Sequence, residues 1–413
     1  MSRTILVLGA GIVGVSCALA LQQRGFAVTL IDRKEPGRET SYGNAGVIGR
    51  SSLVPLNNPG LYAKLPGYLG NRHPALHLDW RRALTSPGWM LRFLWEGRAS
   101  QAAARIAAMD GLTATAVTRH RALMQQAGIS HRLRETGTLK LWRSEAGLAS
   151  ARAEQDLLKA HGVESEILDR QGISALEPSL NPIFPTGLFI AANGSVDSPG
   201  AVTAGYAALF VARGGTLIQE EVGSLRREGA LWRVQTAQRM HEASDVVVAL
   251  GPWSAGLLRP LGLDPKLDVE RGYHRHFAPG DGARLSRPVY DVDAAYFMTP
   301  MEEGYRVTSG VDLSLRDAPD QLRQIESVTQ SAREAFPLGS VLGKTWRGAR
   351  PTLPDSLPMI GAAPGHQGLW LAFGNQHLGF STGPMTGELL AALLNGEAPP
   401  IDPKPYAPGR YIR

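Results

Sequence analysis

Short apolar runs that lead into glycine recur along the chain. Residues 5–8 form a continuous apolar run, which is typical of a strand buried on both faces of a parallel sheet. An apolar helical run follows, and residues 27–32 return as a second strand. Further apolar runs at 246–249 and 369–373 each precede a glycine. Because ligands gather at the carboxyl ends of strands in an open α/β sheet, these glycines predict a site at one edge of such a sheet.

The segments between these runs follow other patterns. Residues 87–127 carry apolar positions at three- and four-residue steps, which predicts helices. Residues 53–84 are rich in Pro, Gly, Asn and His and are expected to be irregular. Strands are predicted at 137–142, 166–168, 273–277, 294–298 and 305–308, and helices at 146–160 and 320–335.

These patterns predict two interleaved domains. The glycine-ended strands belong to a nucleotide domain, and the other β-rich segments belong to a second, substrate-facing domain. The predicted nucleotide domain comprises residues 1–85, 193–260 and 341–413, and the substrate domain comprises 86–192 and 261–340.

Three glycines and an acid mark a dinucleotide site. Gly9, Gly11 and Gly14 follow the first strand at the spacing that turns a strand into a helix. The helix start offers free N–H groups and a positive dipole end for a pyrophosphate. Asp32 ends the second strand, where a carboxylate accepts the ribose hydroxyls of an adenosine. The alternative is a merely structural βαβ turn.

Three later stretches supply candidate chemistry. Residues 33–49 are dense in glycine and small polar side chains, which allows backbone to approach a planar group. Arg350 stands in a predicted turn rich in Gly and Pro, where its planar fork suits a carboxylate, although a structural ion pair is the alternative. The glycine loop 374–379 precedes a predicted helix at 383–394, whose positive end favours developing negative charge.

Composition narrows the class of protein. The 413 residues are 43% apolar with a net charge of +6, and the scattered arginines form no nucleic-acid module. No apolar run approaches the about 20 residues of a membrane span. The single cysteine, Cys17, suits a reducing, cytoplasmic compartment. Peripheral contact with the inner membrane face stays open because of the positive charge. His274 and His276 lack nearby acidic or thiol ligands, so no metal site is predicted.

Four motifs in order resemble those of the flavin-dependent D-amino acid oxidase superfamily, in particular bacterial D-amino acid dehydrogenases. They are Gly9-x-Gly11-x-x-Gly14, Glu39-Thr-Ser41-x-x-Asn44-Ala45-Gly46, Gly348-x-Arg350-Pro351-x-x-Pro354-Asp355 and Gly374-x-x-x-Leu378-Gly379. The resemblance implies FAD, an α/β plus α+β architecture with a glutathione-reductase-like Rossmann domain, and a discontinuous substrate domain built on an antiparallel sheet. Together the residues and the resemblance predict the following FAD contacts: Gly9, Gly11, Ile12, Val13, Gly14, Asp32, Arg33, Lys34, Thr40, Ser41, Asn44, Ala45, Gly46, Val47, Val222, Leu250, Gly251, Trp253, Gly348, Gly374, Asn375, Gln376, His377, Leu378 and Gly379.

The same resemblance predicts a reaction. Arg350 is expected to clamp the carboxylate of an amino or imino acid, so that a hydride leaves Cα for flavin N5, with Tyr296 closing over the substrate and His377 touching its ring. The triplet 375–377 resembles the branch that acts on D-proline or cis-4-hydroxy-D-proline. Related enzymes that bind flavin covalently use a histidine near the first loop or a cysteine near the last loop. This chain has no histidine before His73 and no cysteine after Cys17, so its FAD should be bound noncovalently.

The electron acceptor implied by the resemblance is a quinone or another respiratory-chain component. Two other functions stay open. One is a glycine or sarcosine type oxidase that passes electrons to oxygen, and the other is a flavin-carrying subunit that is active only within a larger dehydrogenase complex.

Overall fold

The computed structural model describes residues 3–280 and 282–412. Its strands are β1 (Thr4–Leu8), β2 (Ala27–Asp32), β3 (Val47–Ile48), β4 (Leu76–Leu78), β5 (Leu133–Arg134), β6 (Thr138–Trp142), β7 (Glu166–Leu168), β8 (Thr186–Ile190), β9 (Gly194–Val196), β10 (Thr216–Gln219), β11 (Val222–Glu228), β12 (Leu231–Thr236), β13 (Met240–Ala243), β14 (Asp245–Val248), β15 (Asp268–Pro279), β16 (Val289–Asp291), β17 (Tyr296–Met301), β18 (Gly304–Thr308), β19 (Val311–Leu313), β20 (Leu338–Thr352), β21 (Met359–Ala362) and β22 (Leu369–Phe373). Its α-helices are α1 (Ile12–Gln23), α2 (Gly60–Leu69), α3 (Trp80–Thr85), α4 (Pro87–Glu96), α5 (Ala99–Thr113), α6 (Ala116–Gln126), α7 (Gly147–Ala160), α8 (Arg170–Leu176), α9 (Pro199–Ala212), α10 (Ser254–Leu258), α11 (Arg323–Ala335) and α12 (Gly379–Asn395).

The first sheet has the strand order β10-β2-β1-β14-β22-β21. Its pairs are parallel except β21 with β22, so the carboxyl ends of β1, β2, β14 and β22 share one edge. One face packs against α1, α9 and α12, and the other against the small antiparallel sheet β11-β12-β13. The predicted Rossmann-type α/β sheet is confirmed.

The second sheet is large and mostly antiparallel, in the order β4-β19-β15-β18-β17-β16-β6-β8-β7 with β20 paired to β15. Two of its pairs, β16 with β6 and β19 with β4, are parallel. Helix α11 packs on one face through a buried apolar cluster. This sheet agrees with the expected α+β part of the fold.

Two segments belong to a different sheet from the one that the expected domain division implies. Residues 76–78 and 338–352 belong to the large sheet, although residues 1–85 and 341–413 were assigned to the nucleotide domain. The region 53–84 also contains α2, β4 and α3 instead of irregular structure alone. The side chain of Asn71 helps to order it, because its amide donates to Leu78 O and accepts from Leu78 N.

Helix α12 begins at Gly379, four residues before the predicted start at 383. Pro384 lies inside it and has no N–H to donate to the carbonyl of Phe380. His120 Nε2 lies 2.7 Å from that carbonyl oxygen and takes the place of the missing donor. Gly387 lets α12 approach the backbone of α1 at Ser16, so both helices start beside the same sheet edge.

Candidate active site

A cavity of about 1110 Å³ runs from the carboxyl edge of the parallel sheet to the large sheet. It brings together most of the predicted site residues. Those that line it are Gly9, Gly11, Ile12, Val13, Asp32, Arg33, Thr40, Ser41, Asn44, Ala45, Val47, Val222, Leu250, Gly251, Trp253, Gly348, Arg350, Gly374, Asn375, Gln376, His377, Leu378 and Gly379. Gly14, Lys34, Gly46 and Tyr296 do not line it.

The turn after β1 is shaped by glycine and tied by side chains. Gly9 has φ +106, a conformation that L side chains rarely adopt. The Ala10 N–H donates to Asp32 Oδ2 at 2.6 Å, and the Ile12 N–H donates to Ser41 Oγ at 2.9 Å. Asp32 and Ser41 therefore hold the helix start and also face the cavity. Gly14 acts by packing alone, since a Cβ there would overlap the carbonyl of Gly9.

Charged side chains border the end of the cavity near Asp32. The Arg33 guanidinium lies 4.3 Å from the centre of the Trp253 ring and donates to Glu39 at 2.8 Å. Lys34 also pairs with Glu39, at 2.7 Å, and is more than half exposed outside the cavity. The expectation that Lys34 contacts the cofactor is corrected, because its side chain is directed to the ion pair.

The first loop is fixed by hydrogen bonds at both ends. Asn44 Nδ2 donates to His377 O at 3.2 Å, and Asn44 Oδ1 accepts from the Gly46 N–H at 2.8 Å. The buried Arg306 guanidinium donates to the carbonyls of Tyr42 and Asn44, at 2.7 and 2.6 Å. Gly46 itself, with φ +75, supports the loop without lining the cavity. The loop is thereby held against residues 376–378.

Trp346, an aromatic residue outside the predicted motifs, packs beside the first loop. Trp346 lines the cavity and stacks on His274 with ring centres 4.9 Å apart. A Cβ on either Gly43 or Gly348 would overlap the Trp346 ring. Both glycines are therefore needed for the close approach of this indole to the two backbones.

The last loop presents polar groups without partners. Gln376 has φ +53, and a short 3-10 helix at 376–378 leads directly into α12. Asn375 Nδ2 donates to the hydroxyls of Thr382 and Thr386, both at 3.0 Å. Among the described residues, Asn375 Oδ1 and Gln376 Nε2 are buried without a hydrogen-bond partner. Unpartnered polar atoms and a helix start facing one cavity fit the heteroatoms of a bound dinucleotide.

Arg350 lies in a strand and not in the predicted turn. It belongs to β20, whose pairing with β15 sets Arg350 opposite Glu270. Pro351 is tolerated because β20 pairs with β15 alone and needs no further ladder bond there. Within the described residues, the Arg350 guanidinium has one hydrogen bond, to Gly310 O at 3.3 Å. Burial lowers its pKa, and Glu270 partly opposes this shift.

His377 and Tyr296 have different surroundings. His377 lines the cavity, and burial together with Arg350 lowers its pKa to about 3, so the imidazole is neutral. Tyr296 is 1% exposed within the apolar cluster under α11, which corrects the expectation that it closes over a substrate. Because strand side chains alternate, Phe297 faces the cavity instead, and Ala295, which precedes β17, also lines it.

Other cavity-lining residues were also missed. Gly272, Tyr273, Tyr290 and Phe297 line the cavity from the large sheet. A glycine inside a strand signals close approach of another group, but the predicted strand began at residue 273 and left Gly272 outside it. The aromatic positions carry no motif, since only the pairing of distant strands brings them together.

The dinucleotide cradle and the sheet-lined cleft form one continuous space, with room for a cofactor and a small molecule beside it. Residues 4–393 match the family described as DAO, FAD dependent oxidoreductase. A D-amino-acid oxidase of Bradyrhizobium diazoefficiens is 31% identical over 99% of both chains. D-amino acid dehydrogenase 2 of Ralstonia nicotianae is 34% identical over 98% of this chain and 100% of its own.

Solved structures agree on the fold. Glycine oxidase from Geobacillus kaustophilus superposes with a TM-score of 0.76 and 20% identity over 100% of both chains. L-proline dehydrogenase from P. horikoshii has a TM-score of 0.76 and 18% identity over 99% of this chain and 98% of its own. The chain belongs to the DAO family of FAD-dependent oxidoreductases, and FAD is its cofactor.

Proposed function

We propose that this enzyme dehydrogenates D-amino acids and that Arg350 binds their carboxylate. The observation that carries the proposal is a guanidinium in the cavity wall that forms no ion pair within 4.0 Å among the described residues. A planar fork with free donors matches a carboxylate in two-point contact. The names of both relatives described above, each more than 30% identical, point to the same substrate class.

The chain contributes mainly position. When bound, FAD supplies the two-electron oxidant that accepts a hydride from the substrate Cα. Arg350 holds the carboxylate at one end of the substrate. The cavity walls formed by Tyr290 and Phe297 limit the orientations of the substrate side chain. The start of α12 lies at the cavity, and the positive end of its dipole would favour negative charge on a cofactor bound there. No general base is required if the substrate amine binds neutral.

A cyclic substrate is the finer part of the proposal. The neutral His377 side chain borders the cavity beside Arg350, where it can contact a ring or a hydroxyl of the substrate. D-Proline and cis-4-hydroxy-D-proline are therefore the first substrates to test. FAD is proposed to be noncovalent, so acid precipitation should leave the yellow colour in the supernatant.

Anaerobic reduction tests the function directly. Purified holoenzyme is mixed without oxygen with D-proline, cis-4-hydroxy-D-proline, D-alanine or L-proline, and flavin absorbance is followed. Bleaching by a D-amino acid supports the proposal. Arg350→Leu should bleach only at much higher substrate concentration while keeping its FAD. Unchanged reduction of Arg350→Leu at low substrate concentration would refute the assigned role of Arg350.

Two alternatives have their own signatures in the same preparation. Peroxide release in air at the rate of substrate oxidation would indicate an oxidase. The absence of bleaching with every amino acid would favour a subunit that works only within a larger complex. With an intrinsic dehydrogenase, bleached flavin should recover its colour on addition of a soluble quinone.

A membrane surface is the proposed route to a quinone. Among the described residues, no helix has both the length and the apolar character needed to cross a bilayer. Helices α3 and α4 expose four large apolar side chains, Trp80, Leu84, Leu91 and Trp95, at 51%, 78%, 67% and 65%. Residues 40–78 contain no Asp or Glu, and Lys64, Arg81 and Arg92 are exposed nearby. Exposed tryptophans beside basic residues suit the interface of an anionic bilayer.

Vesicle sedimentation tests this surface. The enzyme should sediment with vesicles containing phosphatidylglycerol and less with pure phosphatidylcholine. Replacing Trp80, Leu84, Leu91 and Trp95 with Ser should abolish sedimentation. A matched control replaces the exposed Val341 and Leu342 with Ser and should sediment as the parent does. Equal sedimentation of the two variants would refute the assignment of this surface.

A further inference from the structure

Glu270 is a buried acid placed opposite the proposed substrate anchor. Antiparallel pairing of β15 and β20 sets Glu270 across from Arg350, so the two side chains project from the same face of the sheet. Gly272, two residues further along β15, lies on that face against the Arg350 guanidinium. Glu270 is 2% exposed and does not line the cavity, whereas Arg350 does. Arg350 thus reaches the cavity, whereas Glu270 lies on the same face of the sheet but outside the cavity lining.

Few groups near Glu270 stabilise its charged form. Its Oε2 atom is buried without a hydrogen-bond partner among the described residues. Burial raises the pKa of Glu270 to about 7, and the charge of Arg350 opposes that rise. The neighbouring Arg271 is on the other face of the strand, where it pairs with Asp312 at 3.1 Å. Arg350 is therefore the cation on which the charge of Glu270 depends.

We propose that Glu270 takes up a proton when a substrate carboxylate binds Arg350, and that it thereby sets the upper pH limit of substrate binding. This inference rests on the proposed role of Arg350. A substrate carboxylate bound to Arg350 would repel the charge of Glu270, which stands opposite Arg350 in the sheet, across a poorly solvated space. The repulsion is relieved when the buried carboxyl becomes neutral, with water as the source of the proton. Binding and protonation are then linked.

The other titratable groups near the cavity do not account for such an effect near neutral pH. Burial lowers the pKa of His377 to about 3 and, with Arg306 and His276, lowers that of His274 to about 2. Burial raises the pKa of Tyr273, and it raises that of Tyr290 to about 12. Lys140 and Glu154 also line the cavity and form an ion pair at 2.6 Å with each other. Burial and Lys64 lower the pKa of His73.

The linkage has a definite sign. Below pH about 7 Glu270 is already neutral, so the dissociation constant of a carboxylate should not depend on pH. Above that pH, Glu270 must take up one proton from water for each anion that binds. The dissociation constant then rises by up to about tenfold per pH unit, until the pH reaches the raised pKa of Glu270 in the complex.

Binding of tetrahydrofuran-2-carboxylate to holoenzyme tests the proposal. This probe has the ring and carboxylate of proline but no amine, so it neither titrates between pH 5.5 and 9 nor reduces the flavin. Dissociation constants are measured from the flavin absorbance change for the wild type, Glu270→Gln and Glu303→Gln. Glu303 is an exposed carboxylate of the same region, near His276, and serves as the matched control.

The wild type and Glu303→Gln should lose affinity above pH 7, and Glu270→Gln should bind equally over the whole range. Wild-type calorimetry at pH 8 in two buffers of different ionisation enthalpy should report proton uptake on binding, independently of how the variant folds. Binding without pH dependence or proton uptake, or a Glu270→Gln variant that keeps the wild-type slope, would refute the inference and leave the role of Arg350 standing. Absence of binding at every pH would instead refute the proposed role of Arg350 and the inference together.

Discussion

The Arg350 guanidinium occupies the space that a side chain on Gly272 would need, because a Cβ there would overlap its Nη2 and Cζ atoms. Gly272→Ala should therefore displace the guanidinium while leaving the nucleotide end of the cavity intact. We expect kcat/KM to fall by up to roughly 100-fold, mainly through KM, at unchanged FAD content. Gly409→Ala is the control, since a Cβ there meets nothing within 4 Å. A normal KM in Gly272→Ala would contradict the role of Arg350 as anchor.

Asp32 should contribute to FAD affinity more than its neighbour Lys34. Asp32→Ala removes the acceptor for the Ala10 and Lys34 N–H groups and a carboxylate from the cavity wall. Loss of charge-assisted bonds of about 1.5–3 kcal/mol corresponds to roughly 10- to 100-fold weaker binding. FAD titration of the apoenzyme measures the change. Lys34→Ala should bind as the wild type does, and a loss equal to that of Asp32→Ala would restore Lys34 as a cofactor residue.

Arg306 should stabilise the first loop. Its Nη1 donates to two backbone carbonyls while its Nε donates to His276 Nε2, and lysine has only one nitrogen to replace both donors. We expect Arg306→Lys to lower the melting temperature by a few degrees, as a loss of about 1–3 kcal/mol would. FAD retention should also fall. Arg275→Lys replaces a partly exposed arginine bonded to the Thr345 hydroxyl and should have a smaller effect on both measurements.

The folded protein should become less stable as the pH falls, because it buries histidines in their neutral form. His120 is fully buried between the Tyr206 hydroxyl and the Phe380 carbonyl, and burial lowers its pKa to about 4 from 6.5. Between these values the unfolded chain binds a proton that the folded chain does not, so stability is lost as pH falls from 6.5 to about 4. The slope approaches about 1.4 kcal/mol per pH unit for one histidine.

Melting curves from pH 7.5 to 4.5 measure this dependence. His120→Gln should be less stable at pH 7.5, because it disturbs the bond to Phe380 O, but its loss of stability on acidification should be smaller. His131→Gln alters an exposed side chain and should keep the wild-type dependence. An equal acid dependence in all three proteins would show that His120 does not contribute.

The nucleotide site was largely readable from the sequence because its parts are close along the chain. Gly9, Gly11 and Asp32 are joined by one strand, one helix and a second strand, and the spacing of their residues determines where they meet. Arg350 was found by its motif, but its setting was misjudged. Its Gly- and Pro-rich surroundings predict a turn, whereas a long edge strand tolerates the same residues once it has a partner.

Sequence pattern alone determined the α/β class, the dinucleotide site and the glycine-bordered strand ends, because these depend on local periodicity and short spacings, whereas the resemblance to a family was needed to predict FAD. Only the tertiary structure decided that Tyr296 packs in a core, that Trp346 meets Gly43, and that Glu270 stands opposite Arg350. The reason is physical: these contacts join residues on different elements. Strand register, which no local pattern specifies, decides which side chains share a face.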